Sequence, residues 1–226
     1  KEPAPPDHPL LKLDRVICTP HLGASTAEAQ VNVAVAIAQQ VGEFLTKGTI
    51  NSAVNAPSLS PEVLQVLRPY LLLAEKLGAL AAQLKAGNPD EVIVQATGEV
   101  AEREVKALGI AVLRGLLDQV IDLDVNYTVN YVNAPTIARD RGIRLVTATA
   151  SQSTDYANAI RVEVKRPEGT TVVQGAVFGT DTVRLTRIDD FRMEAVPDGH
   201  ILMLHNRDVP GVVGRRTDQV HVAVRL

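Results

Sequence analysis

The chain has 226 residues, 46% of them hydrophobic, and a formal net charge of −3 at pH 7. That length predicts one or two domains, and the charge leaves no basic excess to recruit nucleic acid or an anionic membrane. Aromatics at 3% with no Trp exclude base-stacking platforms, and Cys18 as the sole cysteine excludes an internal disulfide framework or a Cys-based zinc cluster. A reducing, cytoplasmic setting is the expectation. The opening Lys1-Glu2-Pro3-Ala4-Pro5-Pro6 is polar and proline-rich, unlike a secretory signal. The most apolar stretch, Tyr70–Leu84, is interrupted by Glu75, Lys76 and Gln83, so it is not expected to span a membrane.

Val16-Ile17-Cys18 reads as a short apolar strand, with Cys18 a small buried residue in it. Pro20 fixes its own φ and holds Thr19 extended, so the strand stops there. Ser25 and Glu28 have the spacing of a capping box. From Ala27 to Lys47, Val33, Ile37, Val41, Phe44 and Leu45 fall on one helical stripe, with Gly48 as a C-cap. Ser60-Pro61 opens a further helix, N-cap then Pro at N1. Pro69 is expected to split it, leaving Pro69–Leu84 with Leu73, Leu77, Leu80 and Leu84 inward. Gly87-Asn88-Pro89 is the stop.

Next come a strand at Glu91–Thr97, a helix from about Ala101 to Val120, a strand around Val125–Val132, a short helix Pro135–Arg141 and a strand Ile143–Thr149. Ala159–Lys165 and Thr171–Phe178 form a hairpin across Arg166-Pro167-Glu168-Gly169-Thr170. Thr182–Ile188 is another strand, turning at Asp189-Asp190. Gly199–His205 is a strand running into Asn206–Gly214, and Val220–Leu226 is a closing strand. The fold class is α/β, and the region 57–198 is a mixed α/β domain whose sheet is largely antiparallel.

Pro9-Leu10-Leu11-Lys12-Leu13-Asp14, leading through Val16-Ile17 into Thr19-Pro20-His21-Leu22-Gly23-Ala24-Ser25-Thr26 and Glu28-Ala29-Gln30, resembles the D-3-phosphoglycerate dehydrogenase branch of the NAD-dependent D-2-hydroxyacid dehydrogenases. Val54-Asn55-Ala56-Pro57 resembles the close of that family's catalytic region. Val129-Asn130-Tyr131-Val132-Asn133-Ala134-Pro135 and Arg207-Asp208-Val209-Pro210-Gly211-Val212-Val213-Gly214 resemble its long bacterial form. The resemblance implies a C-terminal fragment: residues 1–56 end the catalytic region, 57–198 are an intervening domain, and 199–226 are an ACT regulatory domain, a βαββαβ ferredoxin-like unit. Two βαβ-type halves need on the order of 60 residues, far more than His200–Leu226 supplies. Gly214 also runs into Arg215-Arg216 without the expected apolar helix. The ACT unit is therefore expected to be incomplete, lacking a helix and one or more strands around 214–219.

Taken alone, His21 at a strand–helix junction is open between a structural role and acid–base work, since imidazole titrates near neutrality. The resemblance makes it the catalytic acid/base. It also lays the backbone of His21, Leu22, Gly23 and Ala24 against the nicotinamide of NAD. The family's paired glutamate, its substrate-gripping arginine and its glycine-rich cofactor turn match nothing in this chain. Among the cations Arg139, Arg141, Arg144, Lys165, Arg166, Arg184 and Arg187, most are expected to be solvated. Arg184 matches a position the family uses for anions, and alternation along Thr182–Ile188 points it to the face opposite Val183 and Leu185. Asn206 and Asp208 match residues that bind effector serine, although Asp208 could simply cap a following helix. His8, His200, His205 and His221 have weaker claims, His205 the best of them for a small ligand. No pair has a metal-ligand spacing, so no metal is expected.

The resemblance therefore implies an NAD-dependent dehydrogenase that oxidises 3-phosphoglycerate to 3-phosphohydroxypyruvate in L-serine biosynthesis, a cytoplasmic homo-oligomer (dimer or tetramer) open to L-serine as effector. This fragment alone is expected to be inactive. The alternatives are another D-2-hydroxyacid dehydrogenase, acting on glycerate or hydroxypyruvate, and a non-catalytic serine- or anion-sensing module.

Overall fold

The structure, a computed structural model, describes residues 5, 7–19, 22–47, 61–102, 105–120, 128–150, 156–204 and 220–226. The chain divides into two compact units, Lys1–Ser52 and Ala53–Leu226.

The first unit consists of a short 3-10 turn, Pro9–Lys12, and a 21-residue helix α1, Ala27–Lys47. His8 caps the 3-10 turn, its Nδ1 accepting the Leu10 N–H at 3.3 Å. The helix start differs from the expected capping box. Thr26 is the cap, its Oγ1 accepting the Ala29 N–H at 3.1 Å, while the Ser25 hydroxyl turns back to donate to the Leu22 carbonyl at 3.0 Å. Val16-Ile17-Cys18 is not a strand either: the segment has no regular secondary structure and is exposed, Cys18 included. A strand needs a ladder partner for its N–H and C=O groups, and none of the described residues of this unit forms one. The α1 stripe of Val33, Ile37, Val41, Phe44 and Leu45 is likewise exposed.

The second unit carries the core. Helix α2, Pro61–Leu84, runs unbroken through Pro69. Proline removes one helical N–H and costs about 3 kcal/mol in a helix interior. Here Leu67 and Leu71, Leu73, Ala74, Leu77 and Leu80 flank it on both sides and are buried. At about 1.5–3 kcal/mol for each large apolar side chain, that burial outweighs the proline.

The strands are β1 (Glu91–Thr97), β2 (Arg144–Ala150), β3 (Ala159–Arg166), β4 (Gly169–Phe178), β5 (Thr182–Ile188) and β6 (Phe191–Ala195). They form one six-stranded sheet in the order β2-β1-β3-β4-β5-β6. Only β1 and β2 are parallel. Their crossover holds a 3-10 turn (Gly98–Glu102), α3 (Val105–Val120) and α4 (Ala134–Asp140). The expected sheet is thus observed, with β6 as an unforeseen sixth strand.

The expected strand at Val125–Val132 falls partly outside the described residues. Where it is described, from Thr128 on, it is a coil and turn. The Asn130 side chain accepts from the Val132 and Asn133 N–H groups, and Asn133 accepts from Asn130 N–H and donates to the Thr128 carbonyl. These side chains take up the backbone groups that a ladder would have used.

Helices α2 and α3 cover one face of the sheet. Val92, Val94 and Ala96 of β1 and Ile160, Val162 and Val164 of β3 point into that layer. The two helices meet through Gly78 and Gly115: a Cβ on Gly78 would strike the Val112 carbonyl, and one on Gly115 the Glu75 carbonyl. Beyond the sheet, β7 (His200–Leu204) and β8 (Val220–Arg225) form an antiparallel ribbon against α2. These two strands lie where strands at Gly199–His205 and Val220–Leu226 were expected.

Candidate functional site

In the first unit, Leu22, Gly23 and Ala24 form an exposed turn before α1, held by the Ser25 N–H donating to the Leu22 carbonyl at 3.1 Å. No described atom lies within 4 Å of where a Gly23 Cβ would stand. His21, the expected acid/base, lies outside the described residues, as do the expected effector residues Asn206 and Asp208.

In the second unit, the sheet face away from the helices is polar, and no described helix covers it. Strand alternation and register place Arg161 (β3), Gln174 (β4), Arg187 (β5) and Arg192 (β6) in one row across it, with Gln95 (β1) beside Arg161. Arg184 stands one row along, paired with Ala176 on β4. Its Nη1 donates to its neighbour's carbonyl, Val183 O, at 3.0 Å, and its Nε is 3.8 Å from Glu194. The expectation that Arg184 projects opposite Leu185 holds, because Leu185 is buried against the helix layer. Arg161 and Arg187 are only loosely matched by acids, at 3.7 Å from Glu163 and from the fully exposed Asp190. Four guanidiniums share this face with Glu163 and Glu194, and the planar fork of a guanidinium suits phosphate or carboxylate.

At the other end of this face, Glu91 receives Lys165 at 2.9 Å and Arg144 at 2.6 Å. The hydrogen bond from Lys165 holds its pKa below the ordinary carboxylate value. Burial opposes that shift, and the charges of Arg144 and Lys165 reinforce it. Lys165 and Arg144 are thus paired closely, whereas the acids nearest Arg161, Arg184 and Arg187 stand 3.7–3.8 Å away.

Arg166 corrects the expectation of a solvated cation, being 5% exposed. It donates from Nε to the Gly87 carbonyl at 3.2 Å and from Nη2 to the Ala81 carbonyl at 3.0 Å, closing the C-terminal end of α2. A buried tie of this kind serves the fold. Arg161 and Arg192 were missed by the sequence reading. Their only signal was position: each falls on the same period-2 face as a recognised cation once the strands are registered.

Residues 66–189 match the family described as the D-3-phosphoglycerate dehydrogenase intervening domain. The chain is 40% identical over 207 residues to D-3-phosphoglycerate dehydrogenase of Synechocystis, covering 91% of this chain and 37% of that protein. It is 34% identical over 215 residues to that of Archaeoglobus fulgidus, covering 95% and 40%. With that of Bacillus subtilis it shares 34% identity over 209 residues, covering 92% and 38%. The chain spans about two-fifths of the length of these relatives.

Proposed function

We propose, from the premise that the chain belongs to the D-3-phosphoglycerate dehydrogenase family, that it is the C-terminal part of an NAD-dependent oxidoreductase of serine biosynthesis. The reaction is oxidation of 3-phosphoglycerate to 3-phosphohydroxypyruvate. The observation that carries this reading is the extent of the match: 91–95% of the chain, from the Thr19–Thr26 motif through the six-stranded domain, aligns with relatives of that name.

His21 takes the proton from the substrate hydroxyl as hydride leaves the same carbon, and returns it in the reverse direction. Bound NAD supplies the hydride acceptor. The exposed turn of Leu22, Gly23 and Ala24 suits contact with a flat ring, while the grip on the rest of the dinucleotide needs residues outside this chain. Arg184 and its neighbouring guanidiniums bind an anion on the open sheet face. Asn206 and Asp208 bind an amino-acid effector, serine. The protein works in the cytoplasm as a homo-oligomer, in keeping with its single cysteine and weak net charge.

The test is turnover of 3-phosphoglycerate by the full-length protein and its His21→Asn variant. General acid–base catalysis contributes roughly 10²–10⁴-fold, so turnover should fall by that order with NADH affinity nearly intact. Turnover within a few-fold of wild type would remove His21 from the reaction.

A further inference from the structure

The β7–β8 ribbon is fastened to α2 at its Gly199–Leu226 end. Gly199 and Leu226 exchange two backbone hydrogen bonds, at 3.1 and 2.8 Å. The neighbouring pair, His200 and Arg225, therefore turns its N–H and C=O groups outward, as alternate antiparallel pairs do. On β8 those outward groups meet a side chain of α2. Gln83 Oε1 accepts the Arg225 N–H at 2.9 Å, and Gln83 Nε2 donates to the Arg225 carbonyl at 2.9 Å. The same Nε2 also donates to the Ala79 carbonyl at 3.2 Å, so the amide's two N–H groups and its oxygen are all engaged. One glutamine thus stands in for a strand neighbour along the edge of β8.

Seven residues earlier, two turns or about 10 Å along the same helix, the Lys76 side chain is only 17% exposed. Its Nζ donates to the Pro197 carbonyl at 2.6 Å and lies 3.5 Å from Asp198, immediately before Gly199. Gly199 has φ +65, a conformation that suits glycine. Val224 is buried in the core, with Ile201 and Met203 packed against it. The far end of the ribbon, Leu204 and Val220, leads into the segment that holds Asn206 and Asp208.

We propose that Lys76 and Gln83 are positioning residues that clamp the base of the ribbon, so that the ribbon and α2 move as one body and a ligand bound by Asn206 and Asp208 is felt in the helix layer. The second half of this rests on the effector reading of Asn206 and Asp208; the clamp itself does not. A lysine and a glutamine on a helix face would ordinarily extend into water, whereas here Gln83 bonds the N–H and carbonyl of Arg225 in the ribbon and Lys76 bonds the Pro197 carbonyl just before it.

Hydrogen exchange of residues 220–226 in the full-length protein, in wild type and in Gln83→Ala, Gln83→Glu and Lys76→Met, tests the clamp. Gln83→Ala should speed exchange there roughly tenfold, about the effect of one lost hydrogen bond. Gln83→Glu keeps an acceptor for the Arg225 N–H but repels its carbonyl, so it should fall between the two. Exchange at wild-type rates in all three variants would overturn the clamp. Serine calorimetry and inhibition curves on the same proteins test the coupling. With Lys76→Met and Gln83→Ala combined, serine should bind within about twofold of wild type, uninhibited turnover should be unchanged, and inhibition should be lost. Inhibition equal to wild type despite faster exchange would overturn the coupling. If wild type itself binds no serine, the effector reading falls and the exchange data alone decide the clamp.

Discussion

At the scale of single residues, placement and partner decide which cation is available for binding. Arg184 lies on the open face, but Glu194 at 3.8 Å competes for it. If it binds anion, Arg184→Ala should weaken phosphate binding severalfold, and Glu194→Gln should strengthen it by freeing the guanidinium. Phosphate titration by calorimetry at fixed ionic strength reads both; opposite signs are required, and wild-type affinity in both variants would make Arg184 an ordinary surface charge. Glu91 behaves differently. Its pKa is lowered in the folded protein, chiefly by the hydrogen bond from Lys165. The native state therefore binds fewer protons than the unfolded chain as pH drops toward 4. Its stabilisation is complete above the ordinary value near 4.5 and disappears as pH falls through the depressed folded value. Glu91→Gln should flatten the acid side of the stability–pH curve measured by urea unfolding, with the two curves converging at the lowest pH. The sequence reading placed Arg184 on the correct face from alternation alone. It did not foresee the buried Arg166, because its partners, the Ala81 and Gly87 carbonyls, are some 80 residues away and leave no local pattern.

At the scale of elements, boundaries marked by local chemistry were legible and those set by tertiary contact were not. Glu91–Thr97, Ala27–Lys47 and Thr182–Ile188 are observed as read, each bounded by strong periodicity or turn residues. Pro69 was read as a break because local propensity says so, yet the leucines on both sides hold the helix together. Phe191–Ala195 was unread because it is only five residues long and its inward Met193 and Ala195 are only partly buried, with Phe191 exposed. The α2–α3 contact was also invisible, since Gly78 and Gly115 look like helix liabilities until the partner helix is seen. Glycine costs up to about 1 kcal/mol relative to alanine in a helix, so an isolated helix would gain from alanine at either site. In the packed pair the gain reverses, because the new Cβ would meet backbone, which yields poorly. Gly115→Ala and Gly78→Ala should each destabilise by roughly 1–3 kcal/mol, the usual cost of overpacking. Denaturant midpoints would show it; a stabilised Gly115→Ala would mean the helices separate without penalty.

At the scale of the whole molecule, apolar burial is concentrated in one of the two units. Among the described residues, every member of the buried core lies between Leu67 and Val224, whereas the first unit exposes Ile17, Leu22, Val33, Ile37, Val41, Phe44 and Leu45. Stability follows apolar area removed from water at about 25 cal/mol per Å², so the second unit holds the means to fold and the first adds little. A helix of α1's length is marginal in water without a packed face. Truncation to Ala53–Leu226 should therefore leave a cooperative thermal transition within about 2 °C of that of the 226-residue chain, since 1 kcal/mol moves Tm by about 2–4 °C in domains of 150–250 residues. Circular dichroism at 222 nm on both proteins is the measurement, and the longer chain's extra helical signal should melt separately and without a sharp midpoint. A fall of about 5 °C or more on truncation would show instead that residues 1–52 stabilise the sheet domain.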